Sequence, residues 1–337
     1  RRASRILNHR VSRRSVVTHC AFMIQYKGKE KHDIKMLLIL GIFNYIKNNT
    51  MKKLICISTF ILGLANSDYI YSQPSIPIDQ WEGKSILLIG AHPDDDYQSH
   101  GTLALLNENN NKIFILTLTT GNVGTKDPEM SKNDLSKIRR QEQIDAMKVI
   151  GLSEEQYINL GYDDGRVEFA DKEEIIGKIV YHIRKIKPDV LISFDPGYNY
   201  QVWHKSDHRA AAYLTADAVR AAEWRLMYEG QVIHQNLNAY RVPEFLFYGG
   251  NIKDKNTEVN IAEYLDKKIL SGSKYLSQWS SGWNKYLGSD INKYPIGEKE
   301  SVFKRLKERI KYNNDLPVER FRYYKGTPDG MGREKRD

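Results

Sequence analysis

The stretch SILLIGAHPDDD, residues 85–96, joins an apolar run to a cluster of three aspartates. The run SILLIG is short and uninterrupted, which is typical of a strand buried on both faces. Three like charges at the end of such a strand do not stabilise it, because they repel one another. The stretch therefore predicts a buried first strand with a functional site at its carboxyl end.

Apolar runs alternate with amphipathic segments from residue 84 to about residue 250. Short apolar runs predict strands, and apolar residues repeated every three or four positions predict helices. The predicted strands are 84–91, 112–120, 156–160 and 189–194, and the predicted helices are 101–109, 134–151, 172–187 and 206–224. The pattern weakens after about 251, with helices expected at 261–270 and 301–312. This order predicts an α/β fold whose mostly parallel sheet has helices on both faces.

A second polar cluster, DPGYNYQVWHKSDH at 195–208, follows the fourth predicted strand. Parallel sheets bind ligands outside the carboxyl ends of their strands, where both clusters are expected to lie. A single aspartate at a strand end is usually a helix cap, and Asp94 or Asp95 would serve as one. Two clusters that combine carboxylates and histidines are better explained by a metal ion, which offsets the repulsion of the carboxylates. Two histidines and one carboxylate with an open position form a catalytic zinc pattern.

Five segments, AHPDDD, TLTTGNVGT, IRRQE, LGYDDG and SDHRAA, occur in this order along the chain. Together they resemble the PIG-L (LmbE-like) family of zinc-dependent N-acetylglucosaminyl deacetylases. The similarity covers roughly residues 84–280, including KKILSGSKYLSQ, which is similar to the closing helix of the family. The resemblance implies a Rossmann-like three-layer sandwich, in agreement with the alternation of strands and helices. It also implies an enzyme that hydrolyses the C–N bond of a linear amide.

The resemblance assigns zinc ligands and a general base to individual residues. His92, Asp95 and His208 match the metal ligands of the family, and Asp94 matches the base that activates water. A carboxylate that does not bind the metal is free to accept a proton from water, whose pKa zinc lowers towards about 7. Asp207, beside His208, is expected to orient an imidazole.

The sequence departs from the family pattern at two positions. The first motif of the family usually ends in Glu, whereas Asp96 stands here and is expected to orient a metal ligand. The family commonly has His-x-Asp-His, in which the first histidine polarises the intermediate or protonates the leaving amine. Here His204 lies one residue further from the Asp207-His208 pair. Three alternatives follow: His204 still reaches the site, Lys205 replaces it, or the role is lost. The first alternative is preferred.

Substrate contacts are predicted at three further residues. Arg140 in IRRQE and Asp164 in LGYDDG match positions that contact the sugar in the family, and Trp203 is a candidate for stacking on a sugar ring. The simpler roles are a surface arginine, a turn aspartate and an aromatic residue that packs its own loop. The expected partner is a small molecule or glycan that bears an N-acetyl group.

The first 67 residues are expected to be absent from the mature protein. Residues 51–67, MKKLICISTFILGLANS, have the basic start, apolar stretch and small residues of a secretory signal peptide. The apolar stretch is shorter than the roughly 20 residues that a membrane span needs. We therefore expect 1–50 to be non-native upstream sequence, and the mature chain to be secreted or periplasmic without a stable membrane span. Cys20 and Cys56 would be lost, which leaves no thiolate for a metal site.

The charge distribution argues against a nucleic-acid partner. The net charge is +9, but residues 1–50 contain 11 Lys and Arg against 2 Asp and Glu, so the rest of the chain is neutral. Two other functions stay open: a non-catalytic carbohydrate-binding protein on the same fold, and a nucleotide-binding Rossmann protein. The latter is disfavoured because AHPDDD, and not a glycine-rich motif, follows the first strand. Residues 281–337 form a C-terminal extension without an assigned role, and no feature of the sequence indicates an oligomeric state.

Overall fold

The computed structural model describes residues 73–197 and 205–326. These residues belong to one compact unit, Tyr71–Asp337. Four predictions fall outside the described residues: the upstream sequence 1–50, the signal peptide 51–67, Trp203 and His204.

Eight strands form the sheet: β1 (Ser85–Gly90), β2 (Lys112–Thr119), β3 (Tyr157–Tyr162), β4 (Val190–Phe194), β5 (Glu244–Tyr248), β6 (Thr257–Asn260), β7 (Lys311–Asn313) and β8 (Leu316–Lys325). Their order is β3-β2-β1-β4-β5-β8-β6, and β7 pairs with β8. The first five strands are parallel, whereas β8 is antiparallel to β5, β6 and β7. Strands are added first on one side of β1 and then on the other, so right-handed connections place helices on both faces. The predicted three-layer α/β fold is confirmed.

The helices are α1 (His100–Glu108), α2 (Lys132–Val149), α3 (Lys172–Ile186), α4 (Ser206–Ala222), α5 (Glu229–Ile233), α6 (Leu265–Gly272), α7 (Leu276–Trp279) and α8 (Ile296–Glu308). Local sequence fixes both ends of α3. The Asp171 carboxylate accepts hydrogen bonds from the backbone N–H groups of Glu173 and Glu174, which caps the helix N-terminus. The helix ends at Ile186, and the next residue, Lys187, has φ of 54° and directly precedes Pro188.

The central strands are apolar because both of their faces are covered. Leu87 and Leu88 of β1, and Leu191 and Ile192 of β4, are fully buried. Successive residues of a strand point to opposite faces, so this pattern requires packing above and below the sheet. It accounts for the uninterrupted apolar runs in the sequence. Within the described ranges, no helix has the length and apolar character that crossing a bilayer needs.

The C-terminal hairpin corrects one prediction. The sequence pattern predicts a helix over 301–312, but α8 ends at Glu308 and β7 begins at Lys311. Asn314 and Asp315 form the two-residue turn between β7 and β8, with φ of 47° and 66°. Asn and Asp tolerate this left-handed conformation better than most residues, and such turns match the twist of paired strands. The Asn-Asp pair was therefore the signal for a hairpin.

Residues 281–326 of the predicted C-terminal extension are built into the fold. β8 pairs with β5 within the main sheet. α8 buries Val302 and Leu306 in a second apolar cluster that also contains Tyr97, a residue directly after the aspartate cluster. The extension thus packs beside the segment in which the sequence predicts the site.

A buried carboxylate joins this extension to α1 by hydrogen bonds and to α6 by an ion pair. Glu319 of β8 accepts hydrogen bonds from the backbone N–H groups of Gly101 and Thr102 at the start of α1. The same carboxylate pairs with the ammonium group of Lys268 on α6, and both side chains are almost fully buried. Removal of one member of such a pair leaves an uncompensated charge in the interior.

Lys268→Met is therefore expected to lower the free energy of unfolding by about 3–5 kcal/mol. Lys267→Met is the matched control, because Lys267 pairs with Glu108 on the surface. Exposed pairs of this kind contribute roughly 0–1 kcal/mol. Urea unfolding of both variants measures the difference, and equal losses would contradict the assignment of Lys268 as a structural residue.

Candidate active site

The two polar clusters of the sequence meet at the carboxyl ends of β1 and β4. These strands are neighbours, and the chain leaves them towards opposite sides of the sheet, which opens a crevice between their ends. His92 and Asp95 follow β1, whereas His208 lies in the first turn of α4, after β4. The topology therefore brings together residues that are more than a hundred positions apart.

His92, Asp95 and His208 form a compact group of donor atoms. His208 Nε2 lies 3.2 Å from His92 Nδ1 and 3.1 Å from Asp95 Oδ1. His92 Nδ1 also lies 3.4 Å from Asp95 Oδ2. One ligand atom from each residue lies within 4.8 Å of the others, which is close enough to share a metal ion.

Hydrogen bonds orient these donor atoms from behind. Asp95 Oδ2 accepts two backbone N–H groups from the turn after β1, at 2.9 and 2.7 Å, while Oδ1 faces His208. His92 Nε2 lies 3.0 Å from Asp164 Oδ1 and 3.4 Å from Asp207 Oδ2, so its Nδ1 is turned towards His208. Metal-binding histidines usually donate their second ring N–H to a carboxylate in this way.

Asp164 and Asp207 form a second candidate group with His92. Asp207 is buried, and its two oxygens accept the backbone N–H groups of Gly165 and Val167 at 2.6 and 3.3 Å. These bonds occupy the carboxylate, so the group is better suited to orient His92 than to hold a second ion. Asp207 Oδ2 lies 3.4 Å from His92 Nε2, and the role of Asp207 in orienting this imidazole stays a prediction. Asp164 lies at the cleft surface, as expected of a substrate contact, and contacts His92 as well.

The electrostatics of this group favour a positive charge. Burial lowers the pKa of His92, but hydrogen bonds to Asp164, Asp207 and Asp95 outweigh it and raise the pKa well above its usual range. Burial alone would raise the pKa of Asp95, but His208 and His92 hold it well below its usual range. Surroundings that favour ionised carboxylates and a cationic partner are those that a metal ion requires.

Asp94 has a left-handed backbone conformation, with φ of 109°. Such a conformation costs a non-glycine residue on the order of 1–3 kcal/mol and persists only where neighbours impose it. The Gln143 side-chain oxygen accepts the Asp94 N–H at 3.0 Å. Arg139 donates to the Pro93 carbonyl oxygen and pairs with the Asp94 carboxylate at 2.9 Å. The result is a carboxylate at the cleft surface, beside the metal donors but outside both candidate groups.

The surroundings of Asp94 suit a proton acceptor. Burial raises the pKa of Asp94 to about 6, and the Arg139 guanidinium opposes this rise. A general base works best when its pKa lies near the operating pH. Gly121 makes room for Arg139, because a Cβ at this position would lie 2.8 Å from the guanidinium and φ is already 66°.

Asp96 has a different role from the one predicted. It was expected to orient a metal ligand, but its Oδ2 accepts a hydrogen bond from Gln143 Nε2 at 2.8 Å and lies 2.8 Å from His100 Nε2. Gln143 in turn holds the backbone of Asp94. Asp96 therefore supports the strained turn at Asp94. Its side chain is shorter than that of the Glu usual in the family, and its carboxylate contacts Gln143 and His100.

Arg140 does not lie at the site, which corrects a second prediction. Its guanidinium pairs with Glu154 at 3.0 Å, and both side chains are about half exposed. The preceding residue, Arg139, faces the site. Helical periodicity was the missed signal, because Arg139, Glu142 and Gln143 are spaced i, i+3 and i+4 and lie on the buried face of α2.

The predicted roles of Trp203 and His204 stay predictions, because both residues lie outside the described part of the chain. Lys205, the alternative to His204, is described. It is exposed, precedes α4 and lines the same cleft as the donor group.

A cleft of about 1170 Å³ opens in front of the donor group. Trp279 and Trp283 lie on its wall, in agreement with the carbohydrate-facing surface that such aromatic residues favour. Tyr248, at the end of β5, also lines the cleft, and its buried hydroxyl has no hydrogen-bond partner among the described residues. Sequence reasoning missed Tyr248 because β5 was not assigned. Two imidazoles and one carboxylate that face an open cleft fit a zinc ion with room for substrate.

Comparison with known proteins supports the motif-based assignment. Residues 87–219 match the family PIG-L, described as GlcNAc-PI de-N-acetylase. This part of the chain is therefore similar to the PIG-L family. The matched range includes the three residues of the donor group and Asp94. It also includes Arg139 and Gln143, which hold the turn at Asp94. The resemblance that the five motifs indicate is thus confirmed.

Two proteins that resemble this chain are named deacetylases. A diacetylchitobiose deacetylase from Thermococcus kodakarensis is 27% identical over 209 residues, which cover 60% of this chain and 75% of that protein. A probable N-acetyl-alpha-D-glucosaminyl L-malate deacetylase 2 from Bacillus anthracis is 28% identical over 204 residues, 59% of this chain and 83% of that protein. Their names agree with the predicted enzyme class, an amide hydrolase.

The N,N'-diacetylchitobiose deacetylase from Pyrococcus horikoshii, solved with an inhibitor, shares the fold. The TM-score is 0.60 at 22% identity, and the match covers 72% of this chain and 84% of that chain. This similarity confirms the LmbE-like architecture, whereas the chemistry has to be argued from the site, because one fold supports many reactions.

Proposed function

We propose that this chain is a zinc-dependent deacetylase that removes the acetyl group of an N-acetylated amino sugar or glycoconjugate. One observation carries the proposal. His92, Asp95 and His208 converge at the carboxyl ends of β1 and β4, and a strained, separately held Asp94 stands beside them. A strained residue next to a metal-binding group is better explained by chemistry than by stability.

The reaction is hydrolysis of an acetamide: water adds to the carbonyl carbon, the C–N bond breaks, and acetate and an amine leave. His92, Asp95 and His208 would hold the zinc ion. When bound, zinc would polarise the carbonyl group and lower the pKa of water towards about 7. Asp94 accepts the proton of the attacking water, and Arg139 beside it favours the ionised carboxylate that this step needs.

The amine needs a proton when it leaves, and the chain offers three sources. The first is Asp94, once it has taken the proton of the water. The second is His204, the preferred source by resemblance to the family pattern. The third is Lys205, which lines the cleft. We retain His204 as the proposed acid, because a histidine is matched to proton transfer near neutral pH.

The proposed substrate class rests on the relatives together with the cleft. Both curated relatives are named for N-acetylated sugar substrates. Trp279 and Trp283 line the cleft in this chain, and aromatic rings suit the apolar faces of sugars. We also propose export of the mature chain, on the signal-peptide pattern of residues 51–67. N-terminal sequencing of the secreted protein tests this, and a mature chain that retains residues 1–50 would contradict it.

Two other functions are less well supported. A nucleotide-binding protein would present carboxylates to a pyrophosphate at the end of β1, which is unfavourable. A non-catalytic carbohydrate-binding protein would have no use for the strained Asp94. This second candidate would be favoured if the role of His204 were lost. A test of turnover separates the carbohydrate-binding protein from the proposed deacetylase.

Zinc content and acetate release test the proposed function together. We expect about one zinc per purified chain, and acetate release from at least one member of a panel of N-acetylglucosamine compounds, measured by an enzymatic acetate assay. Dialysis against a chelator should abolish the release, and added zinc should restore it. A protein that holds zinc and binds these sugars without releasing acetate would instead be the carbohydrate-binding protein.

A further inference from the structure

The cleft is larger than the reaction at its floor requires. Its volume is about 1170 Å³, whereas pockets for drug-sized ligands span about 300–1,000 Å³. It is lined by His92, Asp94 and Asp95, and also by residues of α8 and β7. A substrate that fills the whole cleft therefore extends well beyond the sugar that is deacetylated.

One wall of the cleft is formed by residues of the C-terminal segment, and hydrogen bonds and apolar packing fix this wall in place. Glu298 of α8 accepts hydrogen bonds from the backbone N–H and the hydroxyl of Ser281, which starts the short turn that carries Trp283. The Trp283 carbonyl oxygen accepts the backbone N–H of Lys126, at 2.6 Å. Val302 anchors α8 in the second apolar cluster. The wall is thus part of the fold and is preorganised for a ligand.

This wall is strongly basic, in contrast to the acidic floor. Residues 281–326 contain 11 Lys and Arg against 6 Asp and Glu, although the chain beyond residue 50 is neutral as a whole. Four cations of this segment line the cleft: Arg305 of α8, Arg309 directly after this helix, Lys311 of β7 and Arg320 of β8. One carboxylate, Glu308, lies among them on the same wall.

Three cations of the cleft are already neutralised. Lys268 pairs with Glu319, Lys255 with Asp195, and Arg320 with Glu258.

By contrast, the structure shows no carboxylate partner for Arg305, Arg309 or Lys311 among the residues it describes. The guanidinium of Arg309 lies over the Trp279 ring, 4.1 Å from its centroid, which fixes the plane of the group. Arg305 Nε contacts only the carbonyl oxygen of Ser301 within the described chain, at 3.4 Å. These side chains retain free donors for an anion, and arginine matches carboxylate and phosphate oxygens in pairs.

We propose that α8 and β7 form a subsite for an anionic group, a carboxylate or a phosphate, carried by the substrate beyond its reacting sugar. The substrate class is then an anionic N-acetylated glycan, with sugar rings near Trp279 and Trp283 and the negative group at Arg305 and Arg309. This inference rests on the proposed function and adds the chemistry of the distant end of the substrate.

The test compares a neutral sugar with two charged versions of it. The probes are N,N'-diacetylchitobiose, the same disaccharide oxidised to a terminal carboxylic acid, and the same disaccharide with a phosphate ester. We expect the wild-type kcat/KM to be about 10-fold higher for at least one charged probe than for the neutral disaccharide. The free energy of charge-assisted hydrogen bonds at an exposed site corresponds to a change of about this size. The probe that gains identifies the anion, and the preference should decrease at high salt.

The double variant Arg305→Gln/Arg309→Gln should lose this preference while kcat/KM for the neutral disaccharide stays within about twofold. Lys304→Gln/Lys307→Gln is the matched control, because it removes the same charge from the same helix at positions that do not line the cleft. A wild-type protein without preference, or a double variant that keeps it, would overturn the subsite even if acetate is released.

If no probe is hydrolysed, the proposed function is refuted. The subsite can still be tested, because binding of the probes can be measured without hydrolysis. Tryptophan fluorescence then measures the affinity for each probe, since Trp279 and Trp283 line the cleft. About 10-fold tighter binding of a charged probe, lost in Arg305→Gln/Arg309→Gln and kept in Lys304→Gln/Lys307→Gln, supports the subsite. Equal affinity for neutral and charged probes overturns it.

Discussion

Asp94→Asn keeps its zinc and releases acetate about 10²–10⁴-fold more slowly than the wild type, the usual cost of losing a general base. The amide of asparagine cannot accept the proton of the attacking water. The backbone should not change, because asparagine tolerates the left-handed conformation that Asp94 adopts at φ 109°. Gln143 still accepts the backbone N–H of the residue. Acetate release and zinc content, measured on the same sample, separate lost chemistry from lost metal.

Asp163→Asn is the matched control for this variant. Asp163 carries the same side chain and is about half exposed, and it contacts Asn122 and Lys132 away from the donor group. It should keep both zinc and full activity. If Asp94→Asn turns over at the wild-type rate, Asp94 is a structural residue of the turn and another group must take the proton. If Asp94→Asn loses zinc as well, Asp94 contributes to the metal group itself.

Local patterns in the sequence were sufficient for four of the five parallel strands, β1 to β4. The apolar run of β1 required a buried strand, and the helices that follow it have clear periodicity and recognisable ends, such as Asp171 and Pro188 around α3. The order of these elements implied the position of the site, because the carboxyl ends of β1 and β4 adjoin in a sheet of this topology. The resemblance to the PIG-L family then pointed to His92, Asp95 and His208 as the metal ligands at this position.

Residues that act from behind the site were harder to predict, because their roles depend on tertiary contacts. Gln143 is an ordinary helix residue in the sequence, and its contacts with Asp94 and Asp96 appear only after α2 packs against the turn. Arg139 and Arg140 are the same type of residue. To predict which of them faces the site, one has to know which face of α2 is buried. The strand β8 was missed for a related reason: the residues of β5 that it pairs with lie 75 to 81 positions earlier, and no local pattern encodes such pairing.

His92→Ala and His208→Ala are expected to lose the metal, with at least about a 100-fold fall in zinc affinity, because each removes one of three protein ligands. Asp207→Asn should lie between these variants and the wild type. Its side chain contacts His92 Nε2 from behind, and loss of such a supporting contact usually costs 10–100-fold in affinity. Zinc per chain after dialysis against a graded zinc buffer gives the three affinities, and circular dichroism confirms that each variant is folded.

The order of these affinities is more informative than any single loss. If the group binds zinc as proposed, the series runs from His92→Ala and His208→Ala, through Asp207→Asn, to a wild-type-like His234→Ala, whose histidine is exposed and remote from the cleft. A hydrogen-bonded cluster without a metal function would show no such series, because zinc would be equally scarce in every protein, the wild type included. Full zinc occupancy in both His92→Ala and His208→Ala would place the ion elsewhere. The 3.2 Å approach of the two imidazole nitrogens would then have to be explained as a hydrogen bond, with one ring donating and the other accepting.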